Sequence, residues 1–202
     1  MPDFASKDPT STQFWDERFD HAFTPWDKGG VPQEVKNFVQ RTFVPLTTLI
    51  PGCGNAYELA FFAQNDWDVT AIDFSSAAVK SAKAAVGEWS ARVLEADFFA
   101  FAPIKPLGLI YERAFFCALP PASRDNIVAR WAELLPSGAL LAGFFFFDDA
   151  INASPKGPPF SIRRDDWQNL MSKDFALLED SDVSDSIPVF KGKERWQVWR
   201  RR

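Results

Sequence analysis

The chain has 202 residues, 47% hydrophobic and 15% aromatic, which is enough apolar matter for one well-buried domain and short for two. A formal net charge of -5 and an isoelectric point near 5.0 argue against a nucleic-acid partner, which calls for a basic face. No apolar run reaches membrane-spanning length, no signal-peptide core opens the chain and only Cys53 and Cys117 supply sulfur chemistry, so the sequence reads as a cytoplasmic protein with reduced thiols and no membrane contact.

In chain order, residues 1–30 form a polar arm interrupted by aromatics. Val31 to Phe43 then places Val35, Phe38, Val39 and Thr42 on one helical face, with Pro32 suited to the first turn. Val44, Leu46, Leu49 and Ile50 make a short apolar run expected to be a buried parallel strand, which leads into Pro51-Gly52-Cys53-Gly54 and a helix. Val69, Ala71 and Ile72 form a second strand ending in Asp73, nineteen residues beyond Gly54. Ser75 can cap a helix carrying Ala78, Val79, Ala82 and Val86. A third strand falls at Arg92 to Glu95 and a fourth at Leu107 to Arg113, followed by a helix with Ile127, Val128, Trp131, Leu134 and Leu135 inward. Pro136 and Gly138 end that helix, and the unbroken apolar run Ala139 to Phe147 predicts a central strand buried on both faces. An amphipathic segment near Trp167 and Leu170 precedes two more strands, Phe175 to Leu178 and Trp196 to Trp199. Alternating strands and helices of this kind build a parallel sheet covered on both faces.

The strand, glycine turn, helix, strand and acid form a unit that presents a carboxylate to the ribose hydroxyls of an adenosine cofactor. Gly52 and Gly54 supply bare backbone for close approach of a ligand. A dinucleotide would want a third glycine and a helix start that welcomes pyrophosphate, and this loop instead continues with Tyr57 and Glu58. Both residues suit S-adenosyl-L-methionine, which carries adenosine, a sulfonium and an amino-acid tail but no phosphate. A nicotinamide oxidoreductase is the alternative reading of the loop.

Four segments extend this reading. Phe14-Trp15-Asp16-Glu17-Arg18-Phe19 with Pro25-Trp26-Asp27, the Pro51-Gly52-Cys53-Gly54 loop, Tyr111 to Leu119, and Gly157-Pro158-Pro159-Phe160 together resemble the thiopurine S-methyltransferase superfamily, which includes thiol and halide methyltransferases. The resemblance implies a three-layer, Rossmann-like class I methyltransferase fold with a seven-stranded, mostly parallel sheet and an antiparallel C-terminal strand. It also implies a methyl group moved from S-adenosyl-L-methionine, leaving S-adenosyl-L-homocysteine, to the sulfur of a small thiol or thiopurine. Halide or sulfide methylation and a non-catalytic cofactor sensor are the alternatives that it leaves open.

Carried over by position, the resemblance assigns Trp15, Trp26, Gly52, Gly54, Asp73, Asp97, Phe98 and Arg113 to the cofactor site, and Phe19, Arg113, Pro158, Pro159 and Phe160 to the acceptor site. Tryptophan faces attract a sulfonium or cover an adenosine, so Trp15 and Trp26 would make residues 1–30 a lid. Asp97 would meet the adenine amino group with Phe98 on the ring, and Arg113 would hold the methionine carboxylate or an acidic acceptor. Trp26 and Arg113 would also position the reactants. Arginine at position 113 leans toward the thiopurine branch, whereas Gly52 and Asp73 lean toward the thiol branch.

The sequence has no Ser-His-Asp arrangement and no cluster of metal ligands. His21, the sole histidine, could take a proton but sits in a polar segment that favours a surface position. Phe115, Phe116 and Phe145 to Phe147 read as core, the two cysteines as small buried side chains, and the protein as a monomer or weak oligomer.

Overall fold

The computed structural model describes residues 3–151 and 153–202; Met1, Pro2 and Asn152 lie outside them. Seven strands form one sheet in the order β3-β2-β1-β4-β5-β7-β6. Strands β1 (Thr48–Pro51), β2 (Val69–Asp73), β3 (Val93–Glu95), β4 (Leu109–Arg113) and β5 (Leu140–Phe146) pair in parallel. Strand β7 (Glu194–Arg201) is antiparallel to both β5 and β6 (Phe175–Asp182), giving the expected antiparallel C-terminal strand.

Two apolar clusters lie on opposite faces of the sheet. Helices α2 (Gln33–Arg41), α3 (Tyr57–Gln64) and α4 (Ser76–Val86) bury Val35, Phe38, Leu59, Phe62 and Val79 on one face. Helices α5 (Arg124–Leu134) and α6 (Arg164–Met171) bury Ile127, Trp131, Trp167 and Met171 on the other. Continuous apolar strands such as Leu140 to Phe146 are what two covered faces require. Ser75 caps α4 as its type and position predict, its Oγ accepting the Ala78 N–H at 3.1 Å.

Three expectations are corrected. The first strand starts at Thr48, and Val44 is 70% exposed in the turn after α2, because an apolar residue before Pro45 lies ahead of the sheet rather than within it. The arm holds a helix, α1 (Thr12–Asp20), of which only Phe14 is buried, so no apolar period announces it. The last two strands run longer than their apolar centres. Strand β6 is an outer edge strand, and its polar end is tied down by ion pairs from Arg195 to Asp180 and Asp182 across the ladder.

Candidate active site

A cavity of about 790 Å³ opens over the carboxyl ends of β1 to β4. Strand order reverses between β1 and β4, and an open α/β sheet places its ligand crevice at such a point. The segments that follow each strand line it together with residues of α1, the 25–28 turn and residues 189–190.

The glycine loop is held in shape by its own backbone. Gly52 and Gly54 have φ of +55° and +52°, the left-handed region that L side chains avoid. A Cβ on Gly52 would meet Phe115 Cδ2 at 2.5 Å, so the space that a side chain would take at this position is filled by a phenyl ring. The Cys53 N–H donates to the Ile72 carbonyl at 3.1 Å, which fastens the loop to β2.

Asp73 ends β2 and is almost wholly buried. Its Oδ2 accepts the Gly54 N–H at 3.1 Å and its Oδ1 the Ser75 N–H at 3.0 Å. Burial pushes this carboxyl up to about 6, against the opposing pull of those two N–H groups. Asp97, in the turn after β3, is exposed at the cavity rim and its Oδ1 accepts the Phe99 N–H at 2.9 Å. Phe98 is buried beside it and meets the Phe115 ring edge-on at 5.1 Å.

Arg113 ends β4 inside the cavity. Its Nη1 lies 3.8 Å from Glu58 Oε1, its Cζ stands 4.7 Å from the Phe144 ring centroid, and both terminal nitrogens are buried without a hydrogen-bond partner. Glu58, expected only to repel phosphate, is buried and accepts the Tyr111 hydroxyl at 3.0 Å. Burial raises the Glu58 carboxyl, and the Arg113 charge opposes that rise.

The arm is pinned across the glycine loop. Asp16 Oδ1 accepts the Ser75 hydroxyl at 2.6 Å and the Ala77 N–H at 3.1 Å, which suits a carboxylate at the start of α4. Asp27 Oδ2 accepts from the Asn55 side chain and, at 3.3 Å, from the Tyr57 hydroxyl. Lys28 pairs with Asp185 Oδ2 at 2.6 Å, joining the arm to the segment before β7. Trp15 and Trp26 meet edge-to-face at 5.4 Å, Trp26 meets Phe19 at 6.1 Å, and all three line the cavity.

Most of the sequence-derived residues therefore converge on this one cavity: Trp15, Trp26, Gly52, Gly54, Asp73, Asp97, Phe98 and Arg113 of the cofactor set, and Phe19, Pro158 and Pro159 of the acceptor set. Phe160 does not line the cavity; its ring packs over Gly157, and its N–H donates to the Cys117 carbonyl at 2.7 Å. His21 is exposed and does not line the cavity, and its Nδ1 lies 2.7 Å from the Glu17 carbonyl oxygen. Of the phenylalanines expected in the core, Phe116, Phe145 and Phe147 are there, Phe115 is half-buried against the core and lines the cavity, and Phe146 is half-buried with its ring 5.4 Å from that of Phe190. Cys53 and Cys117 are free thiols, and burial holds both well above the ordinary thiol range, so neither is a thiolate nucleophile.

Sequence reasoning missed the Glu58–Tyr111 pair, Val189 and Phe190 as parts of this site. Asp16 and Asp27 stood in quoted motifs without a role. No periodicity marks the residues between β6 and β7, and their place over the cavity follows from the antiparallel return of β7. Among the described residues no helix is long and apolar enough to cross a membrane.

The sheet order, the acid at the tip of β2 and the cavity at the switch point define a class I methyltransferase. The chain belongs to the thiopurine S-methyltransferase family, whose profile matches residues 10–202, and is an S-adenosyl-L-methionine-dependent methyltransferase of that family. Thiocyanate methyltransferase 1 of Arabidopsis thaliana is 28% identical over 195 residues, covering 93% of this chain and 84% of that protein. A thiopurine S-methyltransferase of Vibrio atlanticus is 29% identical over 166 residues, covering 74% and 72%. Two solved structures share the fold. They are a Burkholderia thailandensis 1,6-didemethyltoxoflavin-N1-methyltransferase with bound S-adenosylhomocysteine (TM-score 0.74, 14% identity, 94% and 86% covered) and a Synechocystis magnesium protoporphyrin IX methyltransferase (TM-score 0.71, 14% identity, 95% and 99% covered).

The residues present fit the cofactor. The glycine loop lies against a buried carboxylate that keeps lone pairs free, and the orphaned guanidinium of Arg113 calls for an anionic group.

Proposed function

We propose that this methyltransferase acts on the sulfur of a small, largely apolar thiol or thiopurine, within one domain of which residues 1–30 are a lid. The observation that carries this reading is the apolar part of the cavity lining. Phe19, Leu119, Pro158, Pro159 and Phe190 are among the residues that line it, with Cys117 held as a neutral thiol. Such a chamber accepts an apolar body and offers no histidine or thiolate as a base, which suits an acceptor that brings its own ionised sulfur.

The bound cofactor supplies a methyl group on a sulfonium. Asp73 accepts the two ribose hydroxyls with the lone pairs its backbone contacts leave free, and Asp97 and Phe98 receive the adenine. Trp15 and Trp26 present aromatic surface to the cationic sulfur and close the arm over it. Gly52 and Gly54 let the backbone approach, and Arg113 binds the carboxylate of the cofactor tail. The apolar chamber holds the acceptor sulfur in line and excludes water, and alignment is the principal catalytic contribution to a displacement of this kind.

A second reading, a small anion such as thiocyanate as acceptor, is favoured by the Arabidopsis relative. The two readings separate when methyl-labelled S-adenosyl-L-methionine is offered with 6-mercaptopurine, thiophenol, thiocyanate, bisulfide and iodide. Preference for the aromatic thiols supports the first reading. Preference for the small anions supports the second, and cofactor binding without transfer to any of them would leave a sensor.

A further inference from the structure

We infer that Glu58 and Arg113 together form a clamp for a zwitterionic amino-acid tail, with Arg113 taking the carboxylate and Glu58 the ammonium of the methyl donor. This rests on the S-adenosyl-L-methionine reading of the cavity and deepens it by giving Glu58 a direct contact with the cofactor.

Two opposite charges serving only each other close to a hydrogen-bonded contact of about 2.7–2.9 Å, commonly with both guanidinium nitrogens engaged. Here a single pair of atoms stands at 3.8 Å, and Nη1 and Nη2 have no hydrogen-bond partner although both are buried. Buried donors left unmatched are destabilising. Arg113 is kept in place by the face of Phe144, and Glu58 by the Tyr111 hydroxyl on Oε1. Both charges are thus fixed from behind, and both line the cavity. An α-amino acid carries its own anion and cation on one carbon, so a fixed cation beside a fixed anion matches it with the signs reversed.

The order of the strands supports the same assignment. Asp97 follows β3, Asp73 ends β2, the glycines follow β1 and Arg113 ends β4, and these four strands are neighbours in that order. Adenine, ribose, sulfonium and amino-acid tail follow one another in the same order along the cofactor. A molecule whose ribose sits at Asp73 brings its tail across the glycine loop to β4, where Glu58 rises from the first turn of α3.

The test is calorimetry with three ligands: S-adenosyl-L-homocysteine, its analogue with hydrogen replacing the α-amino group, and 5′-methylthioadenosine, which lacks the amino-acid tail. Wild-type protein is expected to bind the des-amino analogue about tenfold or more weakly than S-adenosyl-L-homocysteine, a measurement that needs no variant. Glu58→Gln is expected to weaken S-adenosyl-L-homocysteine by a similar factor and to leave 5′-methylthioadenosine unchanged. Equal binding of the two tailed ligands by wild-type protein would overturn the clamp, as would an equal loss of S-adenosyl-L-homocysteine and 5′-methylthioadenosine in the variant. Wild-type protein that binds none of the three would overturn the cofactor reading itself, an outcome distinct from the other two.

Discussion

Gly54, the last glycine of the loop after β1, donates its backbone N–H to Asp73 Oδ2 at 3.1 Å. The loop and the acid at the tip of β2 are therefore one unit: the backbone of the glycine turn orients the carboxylate proposed to receive the ribose of the cofactor. Each oxygen of Asp73 accepts one backbone N–H and retains a lone pair.

Asp73→Ala is expected to weaken S-adenosyl-L-homocysteine binding by about 1.5–3 kcal/mol, the scale for losing hydrogen bonds to a charged group. Isothermal titration calorimetry checks this, and an unchanged dissociation constant would remove Asp73 from the site.

The same carboxyl gives a pH dependence. Because burial holds Asp73 at about 6, lowering the pH through that value protonates it and takes away an acceptor. Cofactor affinity is expected to be level above pH 7 and to fall below pH 6, and Asp73→Asn is expected to flatten the profile. Identical pH profiles for the two proteins would exclude Asp73 as the titrating group.

Asp16 and Asp27 fasten the arm over the cofactor cavity through α4 and the glycine loop. Deleting residues 1–22 is expected to weaken cofactor binding at least about tenfold while cooperative unfolding persists, since the core clusters lie outside the arm. Asp16→Ala is expected to act in the same direction more weakly. Undiminished affinity in the truncated protein would contradict a lid.

Gly52→Ala places a Cβ at φ +55° against Phe115. The left-handed backbone alone costs about 1–2 kcal/mol, so the variant is expected to melt at a lower temperature than wild type. A melting temperature at or above that of wild type would show that the loop tolerates a side chain.

Glu112 lies buried behind the site, where Oε1 accepts the Phe116 N–H at 2.8 Å and Oε2 has no partner. Burial lifts its carboxyl from 4.5 to about 8. Between those values the folded protein holds a proton that the unfolded chain has lost, so stability falls as pH rises, by up to about 1.4 kcal/mol per pH unit. Glu112→Gln is expected to gain stability relative to wild type progressively from pH 5 to pH 8, measured by denaturant unfolding. A constant difference across that range would contradict the shift.

The fold was legible because its strands are buried on both faces and its turns carry glycine, proline or a capping serine. Asp73 was legible because its distance from Gly54 is set by the length of a strand-helix-strand unit. The polar end of β6 was not, since an edge strand held by Arg195 has no apolar period to display. Glu58 shows the deeper limit. Its place in a first helical turn could be read from the sequence, but its approach to Tyr111 and Arg113 depends on β4 lying beside β1, a relation between distant segments. Phe160 lies off the cavity and Phe115 on it, against expectation, because a loop of prolines and aromatics does not reveal which ring faces inward.

The most direct measurement is a single-turnover reaction with S-adenosyl-L-methionine bearing a deuterated methyl group and thiophenol as acceptor, with products identified by mass spectrometry. The expected result is one deuterated methyl on sulfur for each S-adenosyl-L-homocysteine formed. S-adenosyl-L-methionine bound with full affinity but no label on thiophenol or any other thiol offered in its place would contradict a sulfur methyltransferase.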